Sequence, residues 1–391
     1  MHLLHVITRL ILGGAQQNTV LCCKAQVAAG HRVTLVYGPI YGPEGSLLEE
    51  AKASGAELRE IRWMRRAVLP MHDWLCGRAL RRLIRELKPD VVHTHSSKAG
   101  IIGRGAAWKE RVPAVVHTIH GLPFHERQSR LVNAIYTRAE RWAAKRCHKL
   151  IGVTQAMCDE FLSRSIGTPE QFTVIPSGMD IAPFEAAADD PAVRQRTREE
   201  LDIPQDAPVV GIVARLDQLK GQTDLLDVLP DLRKTHPNVR LLFVGEGWHR
   251  AALEEQVKAQ AMRDAVIFTG LVSPARVPSL IAAMDVHALP SYQEGQPRAL
   301  VQALLTGVPV VGYDAGGIRD VCLNDRTGIL VPLGDRAKLA EAIRSLLNDA
   351  ALRRRFGETG RAFARERYDA RIMVEQLQHV YEEVLSAQHK E

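Results

Sequence analysis

The chain has 391 residues, of which 46% are apolar and 25% charged, and its formal net charge is +6. At roughly 150 residues per domain this length predicts two or three domains, each with material for its own core. The composition excludes a disordered chain, a collagen-like fibre and a disulfide-stapled miniprotein, and no apolar run approaches the roughly 20 residues that a membrane-spanning helix needs. The first fifteen residues imitate a signal peptide, but Arg9 interrupts them and no basic leader precedes them, so a buried first strand is expected there. From there short apolar runs predict strands at 3–7, 32–37, 90–93, 114–119 and 149–153, with amphipathic helices at 15–29, 75–87 and 131–146 between them. Residues 182–208, with A-A-A-D-D-P, a charged run and two more prolines, read as a linker plus one peripheral helix. The alternation then restarts, predicting strands at 209–213, 240–244, 265–268, 286–289, 309–311 and 328–331, and helices fill the tail from residue 336.

This rhythm is that of an α/β protein with two Rossmann-like doubly wound domains. The first is expected over residues 1–181 and the second over 182–367, with a last helix over 368–391. Six cysteines lack any C-x-x-C spacing, which points to a reducing, cytoplasmic setting. Charge is uneven: residues 1–180 hold 25 Lys and Arg against 15 Asp and Glu, whereas the rest hold 26 against 30, giving +10 and −4. A basic half predicts contact with something anionic, such as a membrane surface or a phosphorylated substrate. Arg59, Arg62, Trp63, Arg65, Arg66, Arg78, Arg81, Arg82 and Arg85 carry much of that charge and fit an interfacial surface as well as a solvated helix face. No nucleic-acid-binding motif accompanies them.

Ligands of open α/β sheets lie beyond the carboxyl ends of the strands, so the residues directly after each strand carry the functional argument. Gly13 and Gly14 follow the first strand and leave helix-start amides open to phosphate or sugar, although a simple tight turn explains them too. His93-Thr94-His95-Ser96-Ser97-Lys98 and His117-Thr118-Ile119-His120-Gly121 end two further strands. Without Cys or acidic partners at ligand spacing they suit hydrogen bonding to a hydroxyl-rich or phosphorylated ligand better than a metal, and His95 and His120 are expected at the cleft. Arg215 and Lys220 bracket the loop before a helix start, a combination suited to a diphosphate; a solvated charged loop is the alternative. Ser291-Tyr292-Gln293-Glu294-Gly295-Gln296-Pro297-Arg298 then places a carboxylate and open amides at a strand end. Gln302, eight residues past Glu294, is expected on nearly the same helix face.

The order of these segments, with V-I-P-S-G-M-D, V-G-E-G and D-A-G-G-I-R-D between and after them, resembles the GT-B glycosyltransferases of family 4, the glycosyl transferases group 1, along essentially the whole chain. The resemblance implies a retaining transferase using a nucleoside diphosphate sugar of UDP or GDP type, with no cofactor and no catalytic metal, its two domains facing a cleft and its last helix, 368–391, crossing back to the first domain. It makes Arg215 and Lys220 the cations on the donor diphosphate, His120 a hydrogen-bonding partner of the transferred sugar near the reacting carbon, and Glu294 the holder of that sugar's hydroxyls. Gly13, Gly14, Gly245, Glu246, Leu271, Gly295, Gln296, Pro297, Arg298 and Gln302 would line the donor. The acceptor, a glycan or lipid-linked molecule, would meet His95, Ser96 and Lys98 on the first domain, at the inner face of a membrane. Two departures touch the donor site: Gln302 stands where the family commonly has a second glutamate, and E-G-Q-P replaces E-G-F-G, removing one amide. A nucleotide-sugar epimerase of the same fold stands as the alternative enzyme, and Gln302 leaves open a partner protein that has lost catalysis.

Overall fold

The computed structural model describes residues 1–41, 45–124 and 128–388. The chain divides into two compact units, Met1–Met179 with Tyr368–Glu391, and Asp180–Arg367; the last three residues of the predicted tail segment lie outside the described residues.

In the first unit β1 (His2–Arg9), β2 (Arg32–Gly38), β3 (Glu57–Glu60), β4 (Val91–His95), β5 (Ala114–Ile119), β6 (Lys149–Gly152) and β7 (Phe172–Val174) form one sheet. Its order is β3-β2-β1-β4-β5-β6-β7 and every pairing is parallel. The crossovers carry α1 (Gly14–Ala28), α2 (Leu48–Ala53), α3 (Pro70–Leu87), α4 (Ser97–Lys109), α5 (Arg130–Ala144) and α6 (Gln155–Ser163). Local chemistry marks their ends. Ser129 and Thr154 cap α5 and α6 through side-chain oxygens, and Pro70 opens α3 with a φ already suited to a helix.

The second unit begins with two helices, α7 (Ala182–Asp189) and α8 (Pro191–Glu200), where the sequence predicts a linker and one. Asp190 ends the first and caps the second, and Pro191 cannot continue a helix but can start one, so a single polar stretch becomes a helix pair. Then come β8 (Val209–Val213), α9 (Gln222–Thr235), β9 (Arg240–Val244), α10 (Arg250–Ala259), β10 (Val266–Gly270), α11 (Val277–Ala282), β11 (Val286–Leu289), α12 (Arg298–Leu305), β12 (Val310–Tyr313), β13 (Gly328–Val331), α13 (Arg336–Asn348) and α14 (Ala350–Tyr368). The strands form a parallel sheet in the order β10-β9-β8-β11-β12-β13. The final helix, α15 (Ala370–Gln388), belongs to the first unit, where it packs beside α1.

Strand alternation splits the core of the first unit. Leu4, Val6, Val92 and Val115 pack with Leu80 and Ile84 of α3, whereas Leu3, Ile7, Val91 and Val116 pack with Cys22 of α1 and Leu377 and Val380 of α15. All six cysteines are buried free thiols; burial pushes Cys22, Cys76 and Cys147 up to about 12, so they behave as core hydrophobes. Among the described residues no helix is long and apolar enough to cross a membrane.

Candidate functional site

Both sheets reverse their strand order once, between β1 and β4 in the first unit and between β8 and β11 in the second, and the residues the sequence singles out cluster just past these reversals. In the second unit β8 runs into the Arg215 loop and β11 into the Glu294 loop. Lys220 Nζ lies 2.6 Å from Glu294 Oε1, a half-buried ion pair joining the two loops. Arg215 is 66% exposed and its guanidinium is 2.7 Å from Asp217 Oδ2, so it remains open to a ligand anion. Asp217 also accepts from the Leu219 amide at 3.0 Å, which curls the loop.

Glycine is required where these loops touch. Gly221 opens α9 at φ +78, and a Cβ there would stand 2.0 Å from the Pro290 carbonyl. Gly316 has φ +50 and its Cβ would meet the Glu294 carbonyl at 2.4 Å; the next amide, of Gly317, donates to that carbonyl. Beneath the loops, Asp224 at the start of α9 accepts from the hydroxyls of Tyr292 and Tyr313, each at 2.7 Å, and pairs with Arg336. This network fixes the β11 loop against α9. Burial, then Asp224, raises both phenols, which stay protonated donors.

The remaining donor-side predictions fall around this centre. Gly245 and Gly270 bridge the ends of β9 and β10, which brings Glu246 and the 63% exposed Leu271 to one edge. Glu246 is exposed; the Gly247 amide and then Arg250 hold its carboxyl below the usual range. Gly295, Gln296 and Pro297 form the turn into α12, with Pro297 as its cap residue, and burial brings the Arg298 guanidinium down to about 10, still protonated at neutral pH. One expectation fails. Because α12 starts only at Arg298, the span from Glu294 to Gln302 is not two helical turns, and Gln302 sits mid-helix rather than on a face shared with Glu294.

In the first unit Gly13, extended and without a side-chain cap, precedes α1, and Gly14 is its exposed first residue. A cavity of about 280 Å³ is lined by Ala15, Ser96, Ser97, His120 and Gly121, among others. Ser96, at φ 61, bonds Thr8 Oγ1 at 2.8 Å through its hydroxyl. Two acceptor-side predictions are corrected. His95 is buried within β4, with one ring nitrogen 3.0 Å from His5 and the other 3.1 Å from His120, so it backs the cavity rather than facing it. Lys98 is tied to Asp73 at 2.6 Å and to the Ala67 carbonyl, and only 14% of its side chain is exposed. Sequence reasoning missed His5, Gln26 and Tyr381, which surround His93 and His95. The available signal was a polar residue inside an otherwise apolar strand, with His5, His93 and His95 all on the face that turns toward α1 and α15. Ring nitrogens of His5, His93 and His95 lie within 4.8 Å of one another, a possible ligand set that motif spacing did not show.

Two parallel-sheet, Rossmann-like units, the second with an ion pair joining two loops at its strand-order reversal, define a doubly wound α/β protein. Residues 12–182 match the model of Glycosyltransferase Family 4 and residues 193–363 that of Glycosyl transferases group 1. The chain is 30% identical over 301 residues to a glycogen synthase of Mycobacterium tuberculosis, covering 76% of this chain and 69% of that one. It is 28% identical over 277 residues to UDP-Gal:alpha-D-GlcNAc-diphosphoundecaprenol alpha-1,3-galactosyltransferase of Escherichia coli, covering 70% of each. In fold it matches Anabaena HepE, crystallised with UDP-glucose, at a TM-score of 0.83 and 22% identity over 99% of this chain and 100% of that one. The chain belongs to the glycosyl transferases group 1, glycosyltransferase family 4, and has the GT-B fold.

Proposed function

We propose that this glycosyltransferase moves a sugar, with retention of anomeric configuration, from a nucleoside diphosphate sugar of UDP or GDP type to a glycan or lipid-linked acceptor. The observation that carries the reading is the Lys220–Glu294 pair beside the exposed Arg215 at the reversal of the second sheet. As the glycosidic carbon–oxygen bond breaks, negative charge grows on the departing diphosphate. Fixed cations stabilise that state more than the ground state, which is how such groups raise turnover. In the second unit Glu294 accepts hydrogen bonds from sugar hydroxyls while Lys220 neutralises it; in the first unit His120 lines the cavity as a hydrogen-bonding side chain. The residues at these positions bind through charge and hydrogen bonds, and the reading assigns them no metal.

Two of the matched proteins support the substrate class. The E. coli relative is named for a UDP-sugar donor and a diphosphoundecaprenol acceptor, and HepE is described in complex with UDP-glucose. A lipid-linked acceptor also agrees with the surface of the first unit. Val68, Met71 and Trp74 are more than half exposed along a stretch carrying exposed Arg62, Arg65, Arg66 and Arg78, the mixture of apolar and cationic side chains that an anionic membrane surface attracts. The test is to incubate the protein with UDP- and GDP-sugars and diphosphate-linked lipid acceptors, then determine the anomeric configuration of the product. An axial donor giving an axial linkage is expected. An inverted linkage contradicts retention, and an epimerised nucleotide sugar without transfer contradicts the transferase reading.

A further inference from the structure

The turn after β9 carries the most exposed of the five tryptophans. Trp248 is 66% exposed, and Leu271, in the turn after the neighbouring strand β10, is 63% exposed. A single exposed apolar side chain is ordinary on a protein surface; the place of these two carries the argument. In the sheet order β10-β9-β8-β11 their turns stand at the carboxyl edge beside the loop of Arg215 and Lys220, on the side away from Glu294. Neighbouring strands lie about 4.8 Å apart, so the ends of β9 and β10 are one and two strand spacings from the end of β8, where the cationic loop begins. The end of β11, which leads to Glu294, is one spacing away in the other direction. A nucleoside diphosphate sugar laid along this edge, with its diphosphate at Arg215 and its sugar at Glu294, carries its ribose and base toward Trp248 and Leu271.

The Trp248 turn is built onto the cationic loop. The Leu216 amide donates to the Glu246 carbonyl at 3.2 Å, and the His249 amide donates to the Leu216 carbonyl at 3.3 Å. A Cβ on Gly247 would stand 2.2 Å from that same Leu216 carbonyl, so only glycine lets the two segments come this close. His249 Nε2 lies 3.4 Å from Thr223 Oγ1, in the first turn of α9. Contacts with Leu216 and Thr223, on the two sides of Lys220, thus hold the residues before and after Trp248. The indole meets the His249 ring edge-on, with centroids 5.7 Å apart. Glu246 is engaged by the Gly247 amide at 3.0 Å and by Arg250 at 2.6 Å, which leaves the indole as the large apolar face of this turn. Every nucleobase has a π-face, and stacking on an aromatic side chain adds affinity whichever base is presented.

We propose that Trp248 stacks on the base of the bound nucleoside diphosphate, with Leu271 as an apolar contact at the same edge, and so sets how tightly the nucleotide is held. The inference rests on the reading of Arg215 and Lys220 as the diphosphate site. Trp248 is the only tryptophan of the second unit, since Trp63, Trp74, Trp108 and Trp142 lie in the first, so its fluorescence reports on its own contact. UDP, GDP and ADP, with inorganic pyrophosphate as the base-free probe, are titrated into the full-length protein and followed by calorimetry and by tryptophan fluorescence. The nucleotide that binds should quench the fluorescence, and pyrophosphate should not. In Trp248→Ala the Kd of that nucleotide should rise at least about fivefold, while the pyrophosphate affinity and the thermal midpoint stay as they were. Trp248→Phe, which keeps an aromatic face, should retain most of the affinity and lose the quench.

Equal nucleotide affinity in Trp248→Ala, or an undiminished quench in Trp248→Phe, overturns the proposal. Pyrophosphate bound as tightly as every nucleotide also overturns it and leaves the diphosphate reading in place; that comparison needs no variant to fold. If pyrophosphate and all three nucleotides fail to bind, the diphosphate reading itself is contradicted and the stacking role falls with it.

Discussion

Lys220 and Glu294 lie 74 positions apart in the chain and 2.6 Å apart in the fold, so each is a handle on the other. Arg215→Ala removes only an exposed pair with Asp217, and such pairs contribute at most about 1 kcal/mol to stability. The thermal midpoint should barely move while kcat falls about 100-fold or more, the range for removing a group that stabilises transition-state charge. Steady-state kinetics beside a melting curve checks this, and an Arg215→Ala enzyme with full turnover would be incompatible with the assignment. Arg215, Lys220 and Glu294 could be singled out because each lies in the loop that leads from a strand end into the next helix. His95 was misplaced for a definite reason: β4 runs two residues past the predicted end at His93, so His95 lies inside the strand and points into the core. Tyr381 was invisible because it lies on the buried stripe of α15 with Leu377 and Val384, where an aromatic reads as core, and Gln26 because α1 does not segregate its apolar and polar residues to separate faces.

Strands buried on both faces read directly as apolar runs, and 114–119, 209–213, 240–244, 286–289 and 328–331 match their observed counterparts residue for residue. The sequence did not disclose β3 and β7. These edge strands, four polar-rich residues and three residues long, are only partly buried and carry no apolar run. The helix α4, rich in Gly and Ala, lacks the periodic apolar stripe that marks an ordinary amphipathic helix. The glycine at the head of α9 carries a prediction at this scale. Gly221→Ala sets a Cβ against the Pro290 carbonyl in a left-handed backbone, so denaturant melts should show a loss of at least about 2 kcal/mol. Activity should drop in the fraction that remains folded, since Lys220 is the preceding residue. An unperturbed melt would mean that the two loops do not pack as described.

At the scale of the molecule, buried histidines make stability depend on pH, and unequally. His5, His93, His95 and His117 in the first unit, and His287 in the second, all have pKa values lowered by burial, to about 4 for His5 and His287. Each folded value lies below the unfolded value of 6.5, so the unfolded chain binds more protons below that pH. Stability is full above pH 6.5 and declines as pH falls toward the folded values, by about 1.4 kcal/mol per pH unit for each such group. With four of these rings, the first unit should lose structure first on acidification. Limited proteolysis near pH 5 is expected to cut within 1–179 before 180–367, and the reverse order would contradict it.

The central claim is that the cationic loop after β8, with Arg215 and Lys220, holds a nucleoside diphosphate. Titration calorimetry of the purified protein with UDP, GDP and ADP, repeated on Lys220→Ala, tests it most directly. The account predicts selective binding of one nucleotide in about the micromolar range, weakened at least about tenfold by the substitution. Failure of all three to bind, or binding of equal strength in Lys220→Ala, would contradict it.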